Sequence, residues 1–199
     1  LEIGEAHIVG ASMGGMIAQM IAAEYPNRAK SLVSIMSTTG APHLSEMSER
    51  NENTFRNIEE IDTEGARTYG FYPEAMPRQL TAIFKAGDRS SIVKSIHTPT
   101  LVLHGENDTL LPVDHGKHTA ELIKDSKYKV YKNMGHNLPP EVLPVLVKDM
   151  ISFFKETDAQ IMEFEYTQES AERDASTYSK KLSDNISQFD TAILGVGED

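Results

Sequence analysis

The sequence predicts an α/β protein in which a mostly parallel sheet is flanked by helices. Three observations predict this fold class: short apolar runs rich in β-branched residues and leucine, helical patterns between them, and Gly and Pro residues that separate the two. Parallel strands can be joined only through a long crossover, which is usually a helix. Alternation of strands and helices at this spacing therefore indicates a sheet covered by helices.

The predicted elements begin close to the start of the chain. A buried strand is expected at residues 6–10, followed by a helix at 13–25 that Pro26 helps to end. The remaining core elements follow in alternation, with strands expected at 30–36, 100–104 and 128–132 and helices at 113–124 and 140–155.

Residues 37–96 interrupt this alternation. The glutamate-rich stretch 45–62 predicts a solvated helix and loop, whereas 73–86 predicts a helix with apolar residues at helical spacing. About 60 residues between two core strands are too many for a simple connection. We expect them to form a short cap over one face of the sheet.

The composition excludes several classes of function. The chain has 199 residues, and its 19 basic and 30 acidic side chains give a net charge of -11. Such a surface repels phosphate backbones and anionic membranes, so neither nucleic acid nor a membrane is expected as a partner. The chain has no cysteine, which excludes disulfides, thiolate nucleophiles and Cys-ligated metals. No apolar run is long enough to span a bilayer, and we expect a cytoplasmic location.

The charge also divides the chain near residue 155. Residues 1–155 carry the alternating pattern, whereas residues 156–199 contain 11 acidic and three basic side chains. The sequence starts at Leu1 and reaches a strand within ten residues. We therefore expect a core fragment at 1–155 that belongs to a longer protein, followed by an acidic tail.

A serine lies in a glycine-rich turn between the first strand and the first helix. Gly10-Ala11-Ser12-Met13-Gly14 has the pattern G-x-S-x-G in a strand–turn–helix setting. The turn is so tight that Ser12 must take a strained conformation, which is tolerated only if Gly10 and Gly14 lack side chains. The hydroxyl is then raised at the helix N-terminus, where the dipole and the Met13 N–H can stabilise an oxyanion. The motif favours Ser12 as a nucleophile, and a turn that serves only packing is the alternative.

A base and an acid that could activate this serine follow two later strands. Asp108 comes after the strand at 100–104, and His136 comes after the strand at 128–132. A serine hydroxyl needs a base to remove its proton, and the base needs an acid to fix its tautomer. The order Ser12, Asp108, His136 is typical of a sheet-based serine hydrolase. Glu106 is the rival acid.

Residues 1–155 resemble the C-terminal half of an α/β-hydrolase-fold protein, similar to small esterases such as polyketide methylesterases and their lipase-like relatives. The resemblance implies that Ser12 is the nucleophile, His136 the general base, Asp108 the orienting acid and the Met13 N–H one oxyanion donor. It implies a small-molecule ester substrate and no cofactor or metal. It also implies that N-terminal strands are missing, and that the second oxyanion donor is missing with them. An edge of the sheet would then be left exposed.

Other readings of the same residues stay open. The fold also hosts cofactor-free haloperoxidases and C–C bond hydrolases, and the chain could be a non-catalytic module or a truncated product without a formed site. The dinucleotide fingerprint G-x-G-x-x-G is absent from residues 10–15.

The other histidines are expected to have structural roles. His115 and His118 could share a metal, but a solvated helix face is the favoured interpretation. His104 is expected to be packed and hydrogen-bonded at the end of a buried strand. No partner for the remaining three can be identified from the sequence, namely His7, His43 and His97.

The acidic tail carries its own pattern. A helix is expected at 170–186 and a strand at 189–195 that enters a glycine-rich turn. The segment from Phe189 to Asp199 has the pattern F-D-x-x-x-L-G-x-G-x-D, and it resembles part of a 6-phosphogluconolactonase. The resemblance implies the truncated start of a second α/β domain. An acidic linker and helix is the alternative.

Overall fold

A computed structural model gives the fold, and it describes residues 4–56, 75–157, 159, 173, 176–177, 179–180, 184 and 191–194. The four strands predicted within residues 1–155 are confirmed, with ends that differ by at most one residue. The five strands are β1 (Ala6–Ala11), β2 (Ala29–Ile35), β3 (Thr100–Gly105), β4 (Lys127–Tyr131) and β5 (Thr191–Leu194).

The strands form one sheet in the order β4-β3-β2-β1-β5, and every pair is parallel. The predicted fold class is therefore confirmed. β5 comes from the acidic tail and pairs with β1, with His7 opposite Thr191 and Gly10 opposite Leu194. The expectation that this edge of the sheet lies exposed is wrong, because a segment distant in sequence covers it.

Helices follow the strands as the crossover rule requires. They are α1 (Met13–Glu24), α2 (Glu49–Arg56), α3 (Met76–Ala86), α4 (Ser90–Val93), α5 (Val113–Leu122) and α6 (Leu143–Glu156), with a 3-10 turn at Pro26–Arg28. α1, α3, α5 and α6 confirm the predicted helices, and α2 confirms the helical part of the polar stretch. Three stretches for which the sequence predicts structure lie outside the described residues, namely 57–74, most of 170–186 and the turn after β5.

The helices cover both faces of the sheet. Successive side chains of a strand point to opposite faces, so adjacent residues of β1 enter different cores. Ile8 packs in a cluster with α1, and Val9 packs in a cluster with α6. Burial on both faces explains why two adjacent residues of β1, Ile8 and Val9, are both apolar.

The other edge strand, β4, carries charge instead. Lys127 and Lys129 are exposed, and they form ion pairs with Glu156 and Asp149 on α6. Lysines on an edge strand discourage pairing with another chain. None of the helices in the described part of the chain combines the length and apolar character needed to cross a bilayer.

Candidate active site

The turn between β1 and α1 holds Ser12 in a strained conformation. Ser12 has φ 52° and ψ -122°, in the region that residues with a side chain rarely occupy. A Cβ on Gly10 would lie 2.1 Å from the carbonyl oxygen of Gly14, so the turn closes only if residue 10 is glycine. The Ser12 amide donates to the Ile35 carbonyl at 2.9 Å. The Ser37 hydroxyl donates to the Ser12 carbonyl at 2.9 Å, which fixes the turn against β2.

The structure brings together the three residues that the sequence places after separate strands. Ser12 Oγ lies 2.8 Å from His136 Nε2, and His136 Nδ1 lies 2.7 Å from Asp108 Oδ2. Asp108 is 4% exposed, and the His136 side chain is 10% exposed. A carboxylate only accepts hydrogen bonds, so Nδ1 carries the proton and Nε2 is free to accept the serine proton. The arrangement can therefore generate a nucleophilic oxygen.

Backbone amides hold the Asp108 carboxylate in place. Its Oδ1 accepts hydrogen bonds from the amides of Leu110 and Leu111, both at 2.9 Å. Oδ2 is left to face His136. Glu106, the rival acid, is exposed on the same loop. Of the two carboxylates, the one that contacts His136 is that of Asp108.

The loops that carry Asp108 and His136 are bonded to each other. The Glu106 amide donates to the Tyr131 carbonyl, and the Asn107 amide donates to the Met134 carbonyl, each at 3.0 Å. A Cβ on Gly105 would lie 2.2 Å from the Met134 carbonyl oxygen. The two loops approach this closely because residue 105 is glycine. Their separation, and with it the distance from Asp108 to His136, is fixed by backbone.

Met13 is the first residue of α1 and follows the serine directly. Amides in the first turn of a helix have no partner within the helix and lie at the positive end of its dipole. This is the position that the sequence analysis assigns to an oxyanion donor. Its role stays a prediction, as do the roles of Ser12, Asp108 and His136.

His104 has the packed, hydrogen-bonded role that the sequence predicts, and it also contacts the acid, which the sequence does not predict. The side chain is fully buried, with Nε2 at 2.8 Å from the Leu111 carbonyl oxygen. The same Nε2 lies 3.5 Å from Asp108 Oδ2. Since a carbonyl can only accept, Nε2 carries a proton and presents it to the loop that holds the acid. The spacing of four residues does not predict this contact, because it brings side chains together on a helix, whereas His104 lies on β3.

Burial of His104 predicts a dependence of stability on pH. Burial lowers the pKa of His104, although the Leu111 carbonyl and the Asp108 charge act in the opposite direction. The unfolded chain therefore binds a proton at this side chain before the folded chain does, and stability falls as pH is lowered below about 6.5. His104→Gln keeps an N–H donor but does not titrate.

We expect the unfolding midpoint of the His104→Gln variant to fall less between neutral pH and pH of about 5 than that of the parent chain. Urea titrations of both proteins at several pH values measure the difference. Parallel pH profiles would contradict this assignment.

The structure corrects the expectation for His115 and finds contacts for two histidines whose partners the sequence does not identify. His115 is buried, not solvated, with Nδ1 at 2.7 Å from Thr38 Oγ1 and Nε2 at 2.8 Å from the Ser45 carbonyl. His7 also has a partner, because its Nδ1 lies 2.8 Å from Ser31 Oγ. The ring of His43 packs edge-on against that of His118. Within the described ranges, no three His, Asp or Glu side chains are arranged to hold a metal ion.

Comparison with known proteins finds that the first part of the chain is similar to proteins of the alpha/beta hydrolase fold. A family model described as the alpha/beta hydrolase fold matches residues 1–60. A bifunctional esterase/perhydrolase of Acinetobacter calcoaceticus is 34% identical over 73 residues, which cover 36% of this chain and 26% of that protein. A 2-hydroxy-6-oxo-6-phenylhexa-2,4-dienoate hydrolase of Comamonas testosteroni is 30% identical over 165 residues, which cover 68% of this chain and 58% of that protein.

Solved structures extend the similarity over most of the chain. A meta-cleavage product hydrolase of Pseudomonas fluorescens superposes with a TM-score of 0.58 and 21% identity, over 79% of this chain and 67% of that one. At this identity the likeness concerns the fold. The chain spans about a quarter of the esterase/perhydrolase and 58% of the dienoate hydrolase, so it corresponds to part of each.

Proposed function

We propose that this chain, which has the α/β-hydrolase fold and matches the family model over residues 1–60, hydrolyses carboxylic esters through an acyl-enzyme formed on Ser12. The observation that carries the proposal is the unbroken hydrogen-bond series from Ser12 Oγ through His136 to Asp108, with separations of 2.8 and 2.7 Å. A serine hydroxyl is a weak nucleophile until a neighbouring base takes its proton. This series supplies the base and orients it.

The reaction proceeds in two halves. His136 Nε2 takes the Ser12 proton as Oγ attacks the ester carbonyl carbon, and the imidazolium returns that proton to the departing alcohol oxygen. Water then attacks the acyl carbonyl with the same base, and the acid leaves as Ser12 regains its proton. Asp108 holds Nδ1 protonated and stabilises the imidazolium. The Met13 amide stabilises the negative charge on the carbonyl oxygen.

The proposed substrate is a small-molecule ester, and the steps require no cofactor or metal. The cytoplasmic location stays a prediction.

Burst kinetics with p-nitrophenyl acetate test the acyl-enzyme directly, because the first half-reaction releases nitrophenolate before the second limits the rate. A rapid release of about one nitrophenolate per chain, followed by slower turnover, is the expected result. Release that depends on neither Ser12 nor His136 would contradict the proposal.

The acid is tested by a pair of substitutions on one loop. Asp108→Asn replaces a pure acceptor by an amide and disturbs the His136 tautomer, so kcat should fall by about 10⁴-fold. Glu106→Gln makes the same change on an exposed neighbour and should leave kcat within about twofold of the parent, because rim charges act weakly. Steady-state rates of the two variants decide the assignment. Equal losses, or a larger loss for Glu106→Gln, would contradict it.

A second candidate reaction is hydrolysis of a C–C bond with the same three residues. It is favoured by one observation, that the similarity to the dienoate hydrolase of Comamonas testosteroni extends over 68% of this chain. The two candidates are separated by substrate profiling. Turnover of vinylogous diketones without turnover of simple esters would favour the second.

A further inference from the structure

Helix α1 is apolar on the face that it turns away from the sheet. Its inner face carries small side chains, and Gly14, Gly15, Ala18 and Ala22 are buried there. The outer face carries larger apolar residues that remain partly exposed, including Ile17 at 44%. A large exposed apolar patch usually marks a binding site. The residues of this outer face are Met13, Met16, Ile17, Met20 and Ile21.

A groove of about 590 Å³ lies between this face and α3. Its size falls within the range of small-molecule sites, and it is about four times the volume of a cavity that holds one benzene molecule. The opposite wall contains alanines at three positions, which leave space between the helices. The residues of that wall are Ala75, Arg78, Gln79, Ala82, Ile83 and Ala86.

We propose that this groove, which we call the α1–α3 groove, binds a linear alkyl chain and receives the acyl chain of the ester substrate. The inference rests on the proposed function and names the substrate class, which is an ester of a medium or long unbranched acid. The groove begins at Met13, the residue that follows Ser12 and supplies the oxyanion amide. Ser12 itself does not line the groove, so an acyl chain attached to Ser12 Oγ would enter it past the Met13 side chain.

The side chains of the groove suit a flexible alkyl chain better than a flat or branched ligand. Methionine is unbranched and polarizable, and it adapts its shape to irregular apolar partners. Three methionines line the α1 wall, and the alanines of the α3 wall add no bulk. The single aromatic side chain of the lining, Tyr25, lies at the far end of α1 and is 57% exposed. The walls therefore offer length and little surface on which a ring could stack.

A buried arginine gives the groove a polar end. Arg89 lines the groove and is 6% exposed, and it donates to the Met16 carbonyl at 3.3 Å and to the Thr38 carbonyl at 2.6 Å. Its Nε is buried and has no hydrogen-bond partner in the described structure. These bonds join Arg89 to the fourth residue of α1 and to the segment after β2, so they fix the wall of the groove at the end near Ser12. The apolar residues of α1 continue from this end towards Tyr25, so the alkyl tail should point towards Tyr25.

Chain-length dependence of serine labelling tests the proposal on the intact 199-residue chain. Ethyl, octyl and dodecyl fluorophosphonates react with an activated serine and differ only in their alkyl group. Burial of one methylene favours binding by about fourfold, so the labelling rate at limiting probe should rise at least about tenfold from ethyl to octyl. A rate that is independent of chain length, or that falls with it, would overturn the proposal.

Neighbouring residues of α3 provide a matched pair of variants. Ala82 lines the groove, whereas Thr81 is exposed beside it and does not. Ala82→Phe fills the groove and should reduce the octyl-to-ethyl ratio of labelling rates at least about fivefold, since it removes the space for several methylenes. Thr81→Phe adds the same ring outside the groove and should keep the parent ratio. Identical ratios in the two variants would overturn the proposal.

A binding measurement separates this inference from the proposed function. Calorimetric titration of the Ser12→Ala variant with octanoate, and with acetate for comparison, requires no chemistry at the serine. Octanoate should bind at least about tenfold more tightly than acetate, and Ala82→Phe should remove the difference. Failure of every probe to label Ser12, with octanoate still bound, would contradict the proposed function and support an alkyl site for a free acid. Equal affinities for octanoate and acetate would refute the alkyl site whether or not Ser12 is labelled.

Discussion

Replacement of Ser12 by alanine is expected to lower kcat for ester hydrolysis by roughly 10⁴- to 10⁶-fold, the range found when the nucleophile of a serine hydrolase is removed. The physical reason is that, among the residues the structure describes, Ser12 supplies the hydroxyl at 2.8 Å from His136 Nε2. The variant keeps the backbone of the turn, so substrate should still bind. Steady-state kinetics with a nitrophenyl ester measure the loss.

Ser37→Ala provides the control for this substitution. It removes a hydroxyl that donates to the Ser12 carbonyl but leaves the Ser12–His136 pair intact. Loss of one such hydrogen bond corresponds to about a tenfold effect at most. A Ser12→Ala variant that retains more activity than Ser37→Ala would contradict the assignment of the nucleophile.

Replacement of Gly10 by alanine is expected to destabilise the fold by about 3 kcal/mol or more, which is at the upper end of the cost of overpacking. The new Cβ would lie 2.1 Å from the carbonyl oxygen and 2.4 Å from the carbonyl carbon of Gly14. These are backbone atoms of the junction between β1 and α1, so no side-chain rotation can relieve the contact. Urea unfolding of the variant measures the loss of stability.

Gly4→Ala is the matched control for Gly10→Ala. A Cβ at residue 4 would meet no heavy atom within 4 Å. Its unfolding midpoint should therefore equal that of the parent chain. Equal midpoints for the two alanine variants would contradict the close approach of β1 to the nucleophile turn. A Gly10→Ala chain too unstable to purify, with Gly4→Ala well behaved, would agree with it.

The sheet and the candidate triad could be predicted because their signals are local. Each core strand is a short apolar run bounded by Gly or Pro, and each of the three residues stands directly after one of these runs. The carboxyl ends of parallel strands meet at one edge of a sheet, so strand order alone brings Ser12, Asp108 and His136 into one region. The tightness of the turn then explains why residue 10 is glycine.

Features that depend on distant partners could not be read from the sequence. His115 lies on a helix whose pattern is compatible with solvent, but Thr38 and Ser45 bury it from 77 and 70 residues away. β5 pairs with β1 across most of the chain, and no local pattern specifies that register. The α1–α3 groove depends on how two helices approach each other, which periodicity does not determine.

Labelling of the 199-residue chain with a fluorophosphonate, followed by mass spectrometry of the modified peptide, measures whether Ser12 is an activated nucleophile. The reagent requires an activated serine but little substrate specificity, and His136→Ala serves as the control because it removes the base at 2.8 Å. Ser12 should carry the label, and the control should lose it. A label on another serine, a label on Ser12 that persists in His136→Ala, or no label at all would contradict the claim that these residues form a working nucleophile.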